Sequence, residues 1–140
     1  MKVLLAVDGS EYTKRMLGYL AANPELLGAG NALTALTVVS PIPTTFKSGL
    51  TQQVFENYYQ TTAEERFEPI KRFAAQKAWE LSVIWKVGRA SEAIAEVANN
   101  EQFDLIVMGS HGHSALSGML LGSVVTEVLA QSRKPVLIVR

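Results

Sequence analysis

Phe103 to Thr126, FDLIVMGSHGHSALSGMLLGSVVT, is the stretch whose reading decides the fold. The apolar run Leu105-Ile106-Val107-Met108 breaks off at Gly109. Gly112 follows, and after nine further residues Gly122-Ser123 opens the amphipathic segment Val124-Val125-Thr126-Glu127-Val128-Leu129. A strand, a glycine loop and a helix start, in that order, can build a phosphate site. Glycine lets the backbone approach a ligand closely and adopt positive φ, and the first turn of a helix offers unpaired N–H donors at the positive end of its dipole.

Outward from this stretch the chain alternates between strand and helix patterns. Lys2–Val7 is a continuous apolar run, as in a parallel strand covered on both faces. Asp8-Gly9-Ser10 ends it, and Ser10 is placed to cap a helix running to about Ala22, with Tyr12, Met16, Tyr19 and Leu20 at helical spacing. Asn23-Pro24 closes that helix, and residues 25–30 read as a helical turn with a glycine stop. Ala32–Val39, rich in β-branched residues, reads as a second strand. Ser40-Pro41-Ile42-Pro43 ends it and an irregular loop follows to about Gly49.

From Leu50 to about Glu80, Phe55, Tyr59, Ala63, Phe67, Ile70, Ala74 and Ala78 recur at helical spacing, with a break expected at Glu68-Pro69 because an internal proline costs about 3 kcal/mol. The aromatics Phe55, Tyr58, Tyr59, Phe67 and Phe73 read as packing. Leu81–Val87 is the third strand. Ser91 is placed to cap a helix from Glu92 to about Asn100, with Ile94, Val97 and Ala98 on one face. Phe103–Met108 is the fourth strand, Ala115–Leu121 is expected to be partly helical, Ser123–Ser132 is the last helix, and Pro135–Val139 is the fifth strand. Strands alternating with helices imply right-handed crossovers. The fold class is therefore α/β, a single doubly wound domain over 1–140 with a five-stranded parallel sheet and helices on both faces.

Composition narrows the function. One hundred and forty residues suffice for one core, and 13 Lys plus Arg balance 13 Asp plus Glu. No basic field argues for nucleic acid. With no cysteine there is no disulfide framework and no thiolate nucleophile. The apolar run at Val3–Val7 is too short for a secretory signal, and no window approaches a membrane span, so a soluble cytoplasmic protein is expected. Gly28-Ala29-Gly30 precedes a strand and lacks a third glycine, so it is no dinucleotide fingerprint; Walker A and Gly-x-Ser-x-Gly runs are absent from the sequence.

Gly109, Gly112, Gly122 and Ser123 spell Gly, two residues, Gly, nine residues, Gly, then Ser or Thr. In this the chain resembles the ATP-binding members of the universal stress protein family, and the likeness extends over nearly its whole length. The resemblance implies strand order 3-2-1-4-5. Ligands in open α/β sheets bind beyond the carboxyl ends of the strands where that order reverses, here between the first and fourth strands. The glycine loop falls at that point.

The resemblance further implies a role for each matched position. Asp8 would accept from a ribose hydroxyl, the Val38 backbone would meet the adenine edge, and Ala6 and Val7 would floor the pocket. Met108 and Gly109 would flank the sugar, and amides around Gly112, Gly122, Ser123 and Val124 would hold phosphates. A side chain at Gly109 or Gly122 would then be expected to push towards the ligand. Taken singly, Asp8 also reads as a turn former and Ser123 as a helix cap.

No Lys or Arg lies between Gly112 and Gly122. Charge compensation for ATP, ADP or AMP must come from an accompanying Mg2+ ion, from His113, from a distant Lys or Arg, or from backbone dipoles. His111 and His113, the only histidines, lack an evident third metal ligand, so a solvated or backbone-bonded pair is expected, with His111 belonging to a structural GSHG segment. A homodimer through the apolar edge strand 135–139 is also implied by the resemblance.

The leading function is thus an adenine-nucleotide-binding regulatory protein. The alternatives are a slow ATP hydrolase or nucleotidyl-transfer enzyme using a metal, with His111 as the candidate base, and a dimeric interaction module without nucleotide.

Overall fold

The structure is a computed structural model that describes residues 1–27, 30–46, 49–113 and 116–140. Its elements follow the sequence closely: β1 (Lys2–Ala6), α1 (Glu11–Ala22), β2 (Ala32–Val39), α2 (Gln52–Gln76), β3 (Leu81–Val87), α3 (Ala90–Asn100), β4 (Leu105–Gly109), α4 (Ser123–Gln131) and β5 (Val136–Val139). A short 3-10 turn at Thr44–Phe46 lies between β2 and α2. Five strands form one parallel sheet in the order β3-β2-β1-β4-β5. The order expected from the family resemblance is the one observed.

The continuous apolar runs are explained by burial on both faces. Val3, Leu5 and Val7 point to the α1/α2 side, where Met16, Leu20, Phe55, Tyr59, Phe67 and Ile70 pack on them. Leu4 points to the opposite side with Leu36, Ile106 and Met108, under Ile94 and Val97 of α3 and Val125 and Val128 of α4. Because alternate residues of a strand face opposite sides, a strand between two apolar layers cannot alternate with polar residues.

Several local expectations are corrected. The helix between β2 and β3 does not break at Glu68-Pro69: α2 runs through Pro69. Pro69 and Glu65, whose carbonyl loses its partner to the proline ring, both lie on the exposed side, where water can serve that carbonyl. Phe67 and Ile70 meanwhile stay buried on either side of Pro69, so packing holds the two turns in line. The helix stops at Gln76 rather than near Glu80, with Ala78 beyond it in the left-handed region at φ 55°.

Tyr58 and Tyr19 are exposed rather than packed; Thr13 and Leu17 take the inward positions on α1. The helix capped at Ser91 in the sequence reading begins two residues earlier, with Arg89 at the cap position, which leaves the Ser91 hydroxyl free to donate to Glu127. Residues 116–121 form turns and bends rather than helix, and 114 and 115 lie outside the described residues. So do 28 and 29 of the expected glycine stop, together with 47 and 48 of the loop after β2. No helix among the described residues is long and apolar enough to cross a membrane.

Candidate functional site

β1 and β4 are neighbours in the sheet, but α1 leaves β1 towards one face and α4 leaves β4 towards the other. The diverging chains leave a crevice beyond the strand ends. It holds a cavity of about 450 Å³.

All the residues singled out in the sequence reach it: Ala6, Val7 and Asp8 from the end of β1, Val38 from β2, Met108 and Gly109 from β4, His111, Gly112 and His113 from the loop, and Gly122, Ser123 and Val124 from the start of α4. Thr13, Leu36, Ala90, Ile94, Leu116, Met119 and Val125 also line it and escaped the sequence reading. Leu36 lies two residues before Val38 on the same strand face, and Ala90 lies one turn before Ile94, so strand and helix periodicity could have found both. Nothing local marks Thr13.

Asp8 is fixed by its own loop. Its Oδ1 accepts from the Ser10 amide at 2.9 Å and from the Thr13 hydroxyl at 2.9 Å, and its amide donates to Thr13 Oγ1 at 3.1 Å. Oδ2 takes no hydrogen bond among the described residues and lies against Gly112. Burial alone would raise the Asp8 pKa, but the hydrogen bonds from Ser10 and Thr13 and the nearby His113 outweigh it and hold the carboxyl below its ordinary value. The buried Ser10 Oγ completes no hydrogen bond of acceptable geometry, so we assign Ser10's part chiefly to its amide. Ser10 thus stands at the cap position of α1 without capping through its side chain.

Both histidines bond to backbone oxygens. His111 Nε2 lies 2.8 Å from the Met119 carbonyl, which can only accept, so Nε2 carries a proton and donates; Nδ1 pairs with Ser110 Oγ at 2.9 Å. The His111 ring also packs on Tyr12, with centroids 5.0 Å apart. His113 Nε2 likewise donates to the Asp8 carbonyl at 2.8 Å, tying the glycine loop to the end of β1. No group of three or more potential ligands that could hold a metal occurs among the described residues.

The motif glycines sit where other parts of the chain come close. A Cβ on Gly109 would sit 2.8 Å from Tyr12 Cβ and 3.1 Å from the Tyr12 carbonyl oxygen. On Gly122 it would sit 3.1 Å from His111 Cα and 3.3 Å from the Ser110 oxygen, and on Gly112 it would sit 2.7 Å from Asp8 Oδ2. None of the three has positive φ. Side chains at Gly109 and Gly122 would therefore press on the protein's own chain. The glycines let α1, the loop and the start of α4 close together around the crevice.

Two helices open on the cavity. Gly122 is the cap residue of α4, and its amide donates to the Ser110 carbonyl at 2.7 Å. The first intrahelical bond of α4 runs from the Thr126 amide to the Gly122 carbonyl at 3.1 Å, so the amides of Ser123, Val124 and Val125 precede the ladder and stand at the positive end of the helix. At α3 the first such bond runs from Ala93 to Arg89, which leaves the Ala90 amide in the equivalent position.

At the other end of the cavity, Leu36 accepts from the Val7 amide, so alternation turns the backbone of Val38 to the same edge, beyond the point where β1 has ended. Arg66 of α2 reaches this edge and donates through Nη1 to Val38 O and Thr37 Oγ1, both at 3.1 Å. The arrangement can hold a flat, partly apolar group at Leu36, Val38 and Ile94 and an anion at the start of α4.

A model of the universal stress protein family matches residues 1–140. The chain is 31% identical over 143 residues to a Thermus aquaticus protein named universal stress protein in QAH/OAS sulfhydrylase 3′ region, covering 99% of this chain and 97% of the relative. It is 37% identical to universal stress protein MJ0577 of Methanocaldococcus jannaschii over 99 residues, 66% of this chain and 61% of that one. The solved structure of MJ0577 superposes with a TM-score of 0.82 at 31% identity, covering 99% of this chain and 94% of the other. A universal stress protein solved in complex with cAMP superposes with a TM-score of 0.66 at 25% identity, covering 100% and 96%.

Proposed function

Because this chain belongs to the universal stress protein family, we propose that it binds an adenine nucleotide, ATP or its ADP or AMP relatives, in the crevice between β1 and β4. Occupancy of that site would bias its conformation and choice of partner in a stress response. One observation carries the proposal: the twelve positions singled out in the sequence converge on one cavity whose 450 Å³ falls in the range of small-molecule sites. The relative solved with cAMP supports an adenine nucleotide as the ligand class.

In this reading Leu36, Val38 and Ile94 hold the base, with the backbone of Val38 at its edge. Asp8 accepts from a ribose hydroxyl through Oδ2, the oxygen its own loop leaves over. The amides of Ser123, Val124 and Val125 face the phosphates, and a Mg2+ ion accompanies a di- or triphosphate. The pairing of both His111 nitrogens gives no support to that residue as a general base for hydrolysis. We further propose a homodimer paired through β5, whose outer edge has no neighbouring strand in the sheet. Sedimentation at micromolar concentration tests it, and a monomeric mass would count against it.

The nucleotide reading is tested by denaturing freshly purified protein and identifying released small molecules by mass spectrometry. An adenine nucleotide at near-stoichiometric yield is expected. No nucleotide, together with empty equilibrium dialysis against labelled ATP, ADP and AMP, would overturn it in favour of a non-nucleotide interaction module.

A further inference from the structure

The cavity is short of positive charge. Among the described residues that line it are Asp8 and two histidines, but no Lys or Arg. A helix N-terminus contributes about half an elementary charge, so two of them fall well short of a triphosphate. Arg66 is committed at the opposite end, to Thr37 and Val38.

We propose that Arg89 is the cation that meets the outer phosphates, and that Glu127 and Ser91 hold it ready between the start of α3 and the second turn of α4. The proposal rests on the nucleotide reading above. Arg89 is the cap residue of α3, and the next residue, Ala90, lines the cavity. Its Nη2 lies 2.7 Å from Glu127 Oε1. Glu127 is four residues after Ser123 on α4, and residues at that spacing share a helix face about 6 Å apart. The guanidinium is therefore held beside the face of α4 that Ser123 shares with Glu127.

The pair is built to give without collapsing. The Ser91 hydroxyl, itself buried, donates to the other carboxylate oxygen, so Glu127 keeps a partner wherever the guanidinium turns. The Arg89 side chain is 62% exposed and can move at little packing cost. An arginine carries five donors in a planar fork, so one edge can stay on Glu127 while another meets phosphate oxygens. A lysine, a point charge without that fork, would serve less well.

The test is calorimetric titration of nucleotide-stripped protein with adenosine, AMP, ADP and ATP at fixed Mg2+, for the wild type, Arg89→Ala, Arg89→Lys and Glu127→Gln. In the wild type, affinity is expected to rise with phosphate number. Arg89→Ala is expected to lower the ratio of ATP to adenosine affinity about tenfold, and Arg89→Lys to recover part of it. Glu127→Gln, which removes a negative charge and frees the guanidinium, is expected to raise the ratio two- to threefold. A ratio unchanged within twofold in both Arg89→Ala and Glu127→Gln, in protein that still binds adenosine, would overturn the role of Arg89 and leave the nucleotide reading standing. A wild type that binds none of the four compounds would overturn both.

Discussion

The two loops that meet at the switch point are held in opposite ways. The loop from β1 to α1 is short and closes on itself: Asp8, Ser10 and Thr13 bond one another within six residues. The loop from β4 to α4 is longer and is held mostly by backbone atoms some distance away. His111 reaches Met119, His113 reaches Asp8, the Gly122 amide reaches Ser110, and Tyr12 lies against Gly109. It also carries Leu116 and Leu120 at 70% and 74% exposure. A self-bonded turn supplies a fixed carboxylate. A loop pinned at a few points leaves room for a ligand beneath it, and the glycines mark the points where it must come close.

That contrast can be broken most severely at Gly109. Gly109→Val would drive a branched side chain into Tyr12 Cβ and the Tyr12 carbonyl, both parts of a packed helix. Overpacking of this kind costs about 3 kcal/mol, and chemical denaturation is expected to show at least that loss. A change below about 1 kcal/mol would mean that α1 can withdraw from β4.

Asp8 tests the self-bonded loop through pH. Its folded carboxyl is held below the ordinary value, so it contributes stability above the unfolded pKa of about 4, and that contribution is lost as pH falls through the lower folded value. Asp8→Asn keeps an acceptor for Ser10 and Thr13 but no charge. It is expected to cost about 1 kcal/mol at pH 7 and to flatten the acid limb of stability in denaturation curves taken between pH 2 and 7. An unchanged acid limb would place the acid-sensitive carboxylates elsewhere.

A smaller effect joins the two loops. Gly112→Ala would press on Asp8 Oδ2, a side-chain oxygen that can yield, so a loss of about 0.5–1 kcal/mol is expected. In an Asp8→Ala background the same substitution is expected to cost almost nothing, which a double-mutant cycle would reveal. Additive losses would show that the two loops do not press on each other there. Smallest of all is Ser10→Ala. A true serine cap is worth about 1 kcal/mol, but this hydroxyl is buried without a partner, and the change is expected to fall within about 0.5 kcal/mol of zero by thermal unfolding.

The same contrast explains what could be read from the sequence. The inner strands β1, β2 and β4 were legible because both of their faces are buried, and Gly109, Gly112, Gly122 and Ser123 marked the end of the sheet where the cavity lies. What Gly109 and Gly112 pack against was not legible. It depends on Tyr12 and Asp8, about a hundred residues away in the chain, meeting β4 and its loop. The continuity of α2 through Pro69 was hidden for a similar reason, since the burial of Phe67 and Ile70 against the sheet overrides a local cost. Ser91 looked like a cap from its neighbours in sequence, whereas its partner, Glu127, is 36 residues away. Local chemistry was visible; contacts closed by the fold were not.

The most direct measurement on the central claim uses Ser123→Glu. Ser123 is exposed in the first turn of α4, where a carboxylate interacts favourably with the helix dipole, so stability is expected to hold or rise by about 0.3–1 kcal/mol. The same negative charge would stand where the nucleotide phosphates are proposed to lie. Calorimetry is expected to show ATP and AMP binding at least tenfold weaker in this folded variant than in the wild type. Undiminished binding of both would contradict an anion site at the start of α4.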